Sequence, residues 1–505
     1  MALSADFLTW LAAGPEAVGR RCILLEAAVK SSSVEITRYV SNTGYVSEPT
    51  DTPANQLYSG RISGGVEFTR RLDMQGSGGS ISFGDIEFDN EDGEIDDWLN
   101  DIWAGRALNI YMGDAGDATR DIAKWPKADF ELIFSGTADD ILPKARNRLS
   151  LVVRDIFGPL NTTLSTATIG GTGDNKDVLR PVCLGECFNV TPVLLDPTAG
   201  GGKYAVHLDT TIEDVLEVRD NGIPVAVTET VANGNFTLTN ARFGTITCDV
   251  QGAKVAGEWR NDAGGLIEWI ATGLVGDGNA ITAGQIDATA LTAFRAANAQ
   301  PLGRYITDRG NKLAVMQELA ASVGATVTTT YDGKLILVQV GFGTPDGEIT
   351  TYQMVDGTFG PIGKPEVQGT IRLNGQRNWT PNQSGLAGSL TPAQLTYFRD
   401  EYVVAESTDA TVAADWNQDD KPEPIDTLMV VAADATAEAA RRLALWKEIR
   451  TLYGFEGFPE TLNYEIGDTM TLTHSRFGLS AGVTCQIVGI SINWLIPRVR
   501  FEVLV

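Results

Sequence analysis

SISFGDIEFDNEDGEIDDWLNDIWAGRALNIYM, residues 80–112, is the stretch that decides the fold class, because two strand patterns flank a short helical one. In Ser80–Phe88 the apolar side chains change parity at Gly84, which predicts a β-bulge. A strand is predicted at Ala107–Met112. Between them, a short amphipathic helix is predicted at Glu94–Ile102. Its apolar face consists of Ile95, Trp98, Leu99 and Ile102.

Outward from this stretch, residues 1–160 contain short strand patterns separated by glycine-rich turns. Ser4–Ala13 is predicted as a short amphipathic helix with Ser4 as its N-cap. In the N-terminal segment 1–21, the basic residues Arg20 and Arg21 follow the apolar stretch, which is the wrong order for a secretion signal. The further strands predicted here are Arg21–Val29, Val34–Val40, Gly65–Leu72, Phe130–Phe134 and Leu149–Arg154.

Residues 161–180 are polar and rich in Gly and Thr, which predicts a linker or long loop before a second β-rich unit. Asn221-Gly222 is a strong hairpin-turn signal in that unit. Its predicted strands are Val190–Leu195, Tyr204–Leu208, Val215–Val218, Phe236–Leu238 and Thr245–Val250.

The rest of the chain mixes helices with strands. Asn311 as N-cap and Gly324 as terminator bound a predicted helix at Lys312–Val323. A hairpin with an Asp332-Gly333 turn follows. The other helices predicted are Gly265–Thr272, Ala288–Asn298 and Thr436–Arg450, the last with Ala439, Leu443, Trp446 and Ile449 on one face. Strand patterns are predicted at Glu366–Leu373, around Leu462, Tyr464 and Ile466, at Met470 and Leu472, and at Val499–Val505.

The predicted fold class is therefore α+β, predominantly β and multidomain, with small β-barrels or sandwiches, an inserted β domain and a mixed α/β domain. Four domains are predicted: a tube-like β domain at 1–160, an inserted or decoration domain at 161–255, an α+β domain at 256–362, and a C-terminal domain with a helix and a terminal barrel at 363–505.

The charge balance excludes one class of function. The chain has 39 Lys and Arg against 65 Asp and Glu, a net charge of −26. Binding to DNA depends mainly on cations that displace counterions from phosphates, so an acidic chain without a basic block is not a DNA-gripping protein. The acidity indicates either a solvated surface or a wall that repels DNA passing through a channel.

Metal and cofactor chemistry is not predicted. The five cysteines are odd in number and scattered, and Cys183 and Cys187 lack a second metal-binding pair, so buried apolar roles are predicted. His207 and His474 both lie in strand patterns, which predicts structural roles. The acidic loop Asp89–Glu94 fails as an EF-hand, because Phe88 and Leu99 fall where oxygen ligands are required. A weak, non-standard cation site is the alternative there.

Catalytic motifs are also absent. Gly478-Leu479-Ser480-Ala481-Gly482 matches the nucleophile-elbow pattern, but both flanks read as strands and no histidine follows, so a hairpin loop is predicted. The glycine clusters 170–175 and 276–281 lack the Walker lysine and the third glycine of a dinucleotide fingerprint. The tryptophans Trp98, Trp103, Trp259, Trp269 and Trp446 are predicted in cores or interfaces. We predict no catalytic, cofactor-binding or metal-ligating residue.

Three stretches resemble the baseplate-hub or central tail-tip proteins of long-tailed phages, a group related to the central domains of tip attachment proteins. The first runs from Phe83 to Asp155 and includes FELIFSGTADDI, where Phe130 and Gly136 match the group. The second is NKLAVMQELAASVGATVTTTYDGKLILVQV, from Asn311. The third joins AEAARRLALWKEIR to LNYEIGDTMTLTHSRFGLSAG. Together they cover about half of the chain, whereas residues 161–255 match less clearly.

The resemblance implies a non-enzymatic virion protein at the distal end of the tail, assembled in the host cytoplasm. It implies a homotrimer that continues the tail tube, anchors fibres or a spike, and gates genome ejection. The implied partners are the distal tail protein, the tape measure protein, fibre or spike proteins and the host cell surface, with DNA passing without specific binding. A receptor- or glycan-binding tail protein and a cell-envelope hydrolase are the alternatives.

Overall fold

A computed structural model describes residues 3–75, 80–154, 156–171, 173, 175–273, 280–382, 384–418, 421–496 and 498–505. Strands account for 40% and helices for 19% of the structure, which confirms the predicted α+β, predominantly β and multidomain class. The sheets were predicted to form small barrels or sandwiches. None of the sheets in the described ranges closes into a barrel.

The helices and strands are named in chain order. The α-helices are α1 Ala5–Ala12, α2 Pro15–Gly19, α3 Ala263–Ala271, α4 Ala288–Ala297, α5 Lys312–Ser322, α6 Pro392–Arg399, α7 Ala410–Asp415 and α8 Ala432–Trp446. The strands are β1 Arg21–Ser31, β2 Val34–Ser41, β3 Tyr45–Val46, β4 Leu57–Gly60, β5 Ile62–Gly64, β6 Glu67–Arg71, β7 Ser80–Phe83, β8 Ile86–Asp89, β9 Arg106–Asp114, β10 Glu131–Ala145, β11 Arg148–Arg154, β12 Val182–Val190, β13 Val193–Asp196, β14 Lys203–Ala205, β15 Ile212–Asp220, β16 Ile223–Pro224, β17 Val227–Thr230, β18 Asn235–Leu238, β19 Ile246–Val255, β20 Glu258–Trp259, β21 Gly303–Ile306, β22 Ala325–Thr329, β23 Leu335–Gln339, β24 Gly347–Thr350, β25 Gly360–Gly363, β26 Thr370–Gly375, β27 Val403–Thr408, β28 Ile425–Asp426, β29 Leu452–Gly457, β30 Thr469–Thr473, β31 Val483–Asn493 and β32 Arg498–Leu504.

The chain folds into two compact units, and each is built from segments that are distant in sequence. Unit 1 contains residues 1–159, 326–365 and 450–505. Unit 2 contains residues 160–325 and 366–449. The four-domain division of the sequence stays a prediction.

Unit 1 contains a nine-stranded sheet of order β3-β4-β2-β1-β9-β10-β11-β8-β5 and a second sheet that runs β24-β30-β31-β32-β29-β25. The N-terminal strand β6 pairs with β31 of the second sheet, and β7 pairs with β6. The two sheets meet at an aromatic cluster. The Phe68 and Phe134 rings are stacked with their centroids 4.4 Å apart, and Phe83 lies 5.4 Å from each of them.

The predicted bulge at Gly84 is wrong, because the chain changes sheets there. β7 belongs to the second sheet, whereas β8 pairs with β11 of the first. The change of apolar parity therefore arises because β7 and β8 are two strands that pair in different sheets, and not one irregular strand. The Gly84 N–H donates to the Glu67 carbonyl at 2.7 Å, and a Cβ at Gly84 would lie 3.3 Å from that oxygen. Glycine suits this close backbone approach.

Unit 2 contains a sheet of order β16-β15-β19-β12-β21 with β20 beside β19, a four-stranded sheet β13-β14-β18-β17, and a three-stranded sheet β27-β26-β28. Helix α8 packs on β26 and β27. Ile371 and Leu373 of β26 form a buried cluster there with Ala439 and Leu443. Helices α3 to α7 also belong to this unit.

Local turn and cap signals are confirmed. The Ser4 hydroxyl accepts from the Phe7 N–H, and the Asn311 side chain accepts from the Ala314 N–H at 3.0 Å. Gly324 has a φ of +67° just past α5. Asn221 and Gly222 have φ values of +51° and +84° in the turn between β15 and β16. The predicted linker is mainly loop, although Leu164 is fully buried in unit 2.

Two predicted helices have different limits. The helix predicted at Glu94–Ile102 is a 3₁₀ helix at Asp96–Asn100. With about three residues per turn, it turns Leu99 outward, to 44% exposure, while Ile95 and Trp98 are buried. Ile102 lies beyond its end and is 54% exposed. The helix predicted at Thr436–Arg450 is α8, which starts four residues earlier. The Thr436 hydroxyl donates to the Ala432 carbonyl inside its first turn, and Ile449 lies beyond its end, exposed.

Several predicted strand positions are also corrected, including Tyr464 and Ile466, which lie outside the strands. Leu462 lies in a 3₁₀ helix, Pro459–Asn463, because a proline at its first position fixes a helical φ and starts the turn. The pattern at Glu366–Leu373 becomes a strand only from Thr370. None of the helices in the described ranges has the length and apolarity needed to cross a lipid bilayer.

Candidate functional site

The most distinctive charged feature is the acidic turn, defined here as residues 89–102. Arg61 neutralises part of it, because its guanidinium lies 2.8 Å from both Asp92 Oδ2 and Glu94 Oε2. Hydrogen bonds from Arg61 are the largest cause that lowers the pKa of Asp92, to about 2. The Asp92 carboxylate therefore stays ionised and paired with Arg61 at neutral pH.

Other polar side chains of the turn form hydrogen bonds within it, which fix the conformation of its backbone. The Asn90 amide donates to Asp96 Oδ1 at 2.6 Å and accepts from the Ile95 N–H at 3.2 Å. The Asp89 carboxylate accepts from the Glu91 N–H. Across the described ranges, no group of three or more His, Cys, Asp or Glu side chains converges to hold a metal ion. The non-standard cation site stays a prediction without such a group to support it.

Beside this turn lies a basic hairpin, defined here as residues 142–148 at the tip of β10 and β11. It carries Lys144, Arg146 and Arg148. Lys144 and Arg148 both pair with Glu87. Arg146 is exposed, and no partner for its guanidinium lies within the described part of the chain. The Asn90 N–H donates to the Asn147 carbonyl at 2.8 Å, which fastens the acidic turn to the basic hairpin.

The two histidines have structural surroundings, although neither lies inside a strand as predicted. His207 is fully buried, stacks on Trp269 and accepts from the Cys183 N–H through Nδ1 at 3.0 Å. Burial lowers the pKa of His207 to about 3, so it is neutral. His474 follows β30 and stacks on Phe359 at 4.1 Å. Burial also lowers the pKa of His474.

The nucleophile-like serine lies in a hairpin loop, as predicted. Ser480 is exposed between β30 and β31, which pair antiparallel. A nucleophile elbow requires a helix after the turn, and β31 takes that place. All five cysteines are buried and free, as predicted. Four of the five predicted tryptophans are buried, and Trp259 is half-buried.

The glycine clusters 170–175 and 276–281 are described only in part, because residues 172, 174 and 274–279 lie outside the described ranges. Phe130 and Gly136, which carry part of the resemblance, have packing roles. Phe130 contacts Tyr45 with the ring centroids 5.1 Å apart. A Cβ at Gly136 would lie 2.4 Å from the Arg154 carbonyl. These positions hold β10 against its neighbours.

Sequence reasoning missed a buried charged network in unit 1. Arg70 lies over the Tyr331 ring at 4.2 Å, and its Nη2 lies 2.5 Å from Glu465 Oε1. Arg70 and Glu465 are 4% and 14% exposed. Close by, burial raises the pKa of Asp468 to about 6. Each of the three segments of unit 1 contributes a residue, so no local pattern could predict the network.

Comparison with solved structures finds similar chains that include two tail proteins and a chain of a gene transfer agent virion, and the tail-protein names agree with the broad class that the sequence resemblance named. No protein-family model matches the chain, and no curated protein matches it.

The 43 kDa tail protein of prophage MuSo2 from Shewanella oneidensis is 12% identical, with 96% of this chain and 98% of that chain covered and a TM-score of 0.40. A tail protein from Neisseria meningitidis MC58 is 9% identical, with 95% and 96% covered and a TM-score of 0.36. A chain of the native gene transfer agent virion is 13% identical, with 68% and 91% covered and a TM-score of 0.43. None of these names specifies a hub.

Proposed function

We propose that this chain is a structural subunit of a long-tailed phage tail tip, a baseplate hub that continues the tail tube. One observation carries the proposal: the first hub-like stretch, 83–155, builds β8 to β11 of the nine-stranded sheet in unit 1. The β part of the third stretch builds β30 and its hairpin in the second sheet. The resemblance therefore falls on the sheet framework and not on isolated loops.

The function is mechanical. A conduit for DNA should not bind its cargo, because each cation–phosphate contact would impede sliding. A net charge of −26 suits that requirement. In this proposal, homotrimers meet the distal tail protein and the tape measure protein above and fibres or a spike below. They close the channel in the resting virion and open it for genome ejection.

In this proposal the carboxylates between Asp85 and Asp97, or others in residues 1–160, lie near the lumen or at a seam between subunits. Two features favour a seam over a bare acidic wall. Asp92 and Glu94 share one cation, Arg61, and Glu87 pairs with two cations, Lys144 and Arg148. Residues 85–97 therefore form an ordered, partly compensated surface.

Immunogold labelling of negatively stained virions with an antibody to this chain tests the location. Gold at the distal end of the tail is the expected result, and serum pre-absorbed with the purified chain is the control. Labelling confined to capsids, or intact virions without the chain, would contradict the proposal. A peptidoglycan zymogram tests the non-enzymatic part, where a clearing band from the purified chain would count against it.

A further inference from the structure

The end of the nine-stranded sheet carries oppositely charged surfaces on its two faces. Adjacent residues of a strand point to opposite faces of a sheet, so Glu87 and Phe88 mark the two sides. Lys144 and Arg148 of the basic hairpin bind Glu87 on one side. The acidic turn packs on the other side, where the Trp98 ring lies 5.7 Å from Phe88.

Each surface combines unmatched charge with exposed apolar area. On the basic hairpin, Arg146 is exposed and Leu142 is 45% exposed. On the acidic turn, Glu91 is exposed, and within the described residues its carboxylate has no cation partner. The Asp97 side chain is 67% exposed and forms a long ion pair with Arg38, at 3.7 Å. Leu99 and Ile102 add the exposed apolar area there.

This arrangement suits a head-to-tail contact between copies of one chain. Rings with cyclic symmetry above two-fold require two different, complementary patches on each subunit. Apolar side chains at the centre and charged groups at the rim are typical of such interfaces. The hydrogen bond between Asn90 and Asn147 holds both surfaces in place before contact, which lowers the entropy lost on binding.

We propose that the basic hairpin of one copy docks on the acidic turn of a second copy of this chain. The contact deepens the proposed function, because it names the seam through which the subunits would form a ring. Arg146 lies against Glu91 and Asp97 of the neighbour, and Leu142 covers Leu99 and Ile102.

Sedimentation velocity on the full chain tests this contact. The wild type is expected to associate at about 50 mM NaCl and to dissociate as salt screens the charges. Arg146→Glu should weaken the apparent Kd by about tenfold or more, because like charges would face each other. Glu91→Lys with Asp97→Lys should do the same. Combining all three substitutions in one chain reverses both partners and should restore most of the affinity.

The matched controls are Arg309→Glu and Glu423→Lys, which reverse exposed charges in unit 2 and should leave the Kd unchanged. Circular dichroism melts exclude misfolding as the cause of any loss. A wild type that stays monomeric at about 100 μM overturns the contact, and so does a combined variant no tighter than its parents. Immunogold labelling tests the tail location independently, so failure of the contact and failure of the function are distinguishable.

Discussion

Two arginine–carboxylate networks in unit 1 share their chemistry and differ in burial. Arg70, which is 4% exposed, joins Glu465 across 395 residues of sequence. Arg61 joins Asp92 and Glu94, which are 50% and 74% exposed, across about 30 residues. Water solvates the two carboxylates of the second set whether or not they are paired, whereas both charges of the first set depend on their partners.

The difference separates a structural role from a surface role. Breaking a buried pair leaves a charge without solvent or partner, which costs several kcal/mol. Breaking an exposed pair costs about 0–1 kcal/mol, because water replaces the lost partner. The buried network therefore ties the three segments of unit 1 together, while the exposed one sets the charge and shape of a surface.

The largest effect is expected when the buried pair is broken. Arg70→Met should lower the free energy of unfolding by about 3–5 kcal/mol, because Glu465 would stay buried without its cation. Urea denaturation measures the loss. The double variant Arg70→Met with Glu465→Met should recover much of it, since neither charge then remains. If Arg70→Met alone lowers the free energy of unfolding by less than about 1 kcal/mol, the buried pair contributes no more than an exposed pair does, and the contrast between the two networks is wrong.

A smaller effect is expected from Asp468 beside the buried network. Its pKa is raised to about 6, chiefly by burial, against an ordinary value of 3.8. The folded state therefore binds the proton more tightly than the unfolded state. This contribution to stability is fully present below about pH 4 and is lost as the pH rises through about 6.

Unfolding free energies measured from pH 4 to 7 should fall by about 2–3 kcal/mol more in the wild type than in Asp468→Asn. The asparagine keeps an oxygen that can accept the Glu465 N–H, so the comparison isolates the titration. Parallel pH profiles for the two proteins would rule out a raised pKa at this position.

The smallest effect on stability is expected at the exposed network. Arg61→Met should change the free energy of unfolding by less than about 1 kcal/mol. It should nevertheless raise the pKa of Asp92, because hydrogen bonds from Arg61 are the first cause of its lowered pKa. Carbon-detected NMR titration of the carboxylates measures this change. If the pKa of Asp92 does not change, hydrogen bonds from the turn backbone, and not Arg61, are what lower it.

The structure confirms the predictions that rest on short-range sequence signals. Side-chain caps at Ser4 and Asn311 and the Asn221-Gly222 turn form as predicted, because hydrogen bonds within about four residues decide them. The helix predicted at Glu94–Ile102 shows the limit of a periodic pattern. Its apolar spacing fits an α-helix, yet packing on Phe88 requires only Ile95 and Trp98 to be buried.

Of the candidate site, the sequence located the acidic turn and the hairpin loop around Ser480. It could not show that Arg61 neutralises Asp92, nor that Arg146 lies beside the acidic turn. Arg61 is about 30 residues from Asp92, and Arg146 is more than 50 residues from Glu91. Such pairs form only when the strands of the nine-stranded sheet align.

The sequence by itself determined the predominantly β class, the acidic charge, and the positions of turns and caps, because composition and local hydrogen bonding fix these. Only the tertiary structure decided that the chain changes sheets at Gly84 and that Arg70 meets Glu465. It also placed the basic hairpin and the acidic turn on opposite faces of one sheet. These features depend on which strands pair, and strand pairing is governed by burial summed over segments hundreds of residues apart.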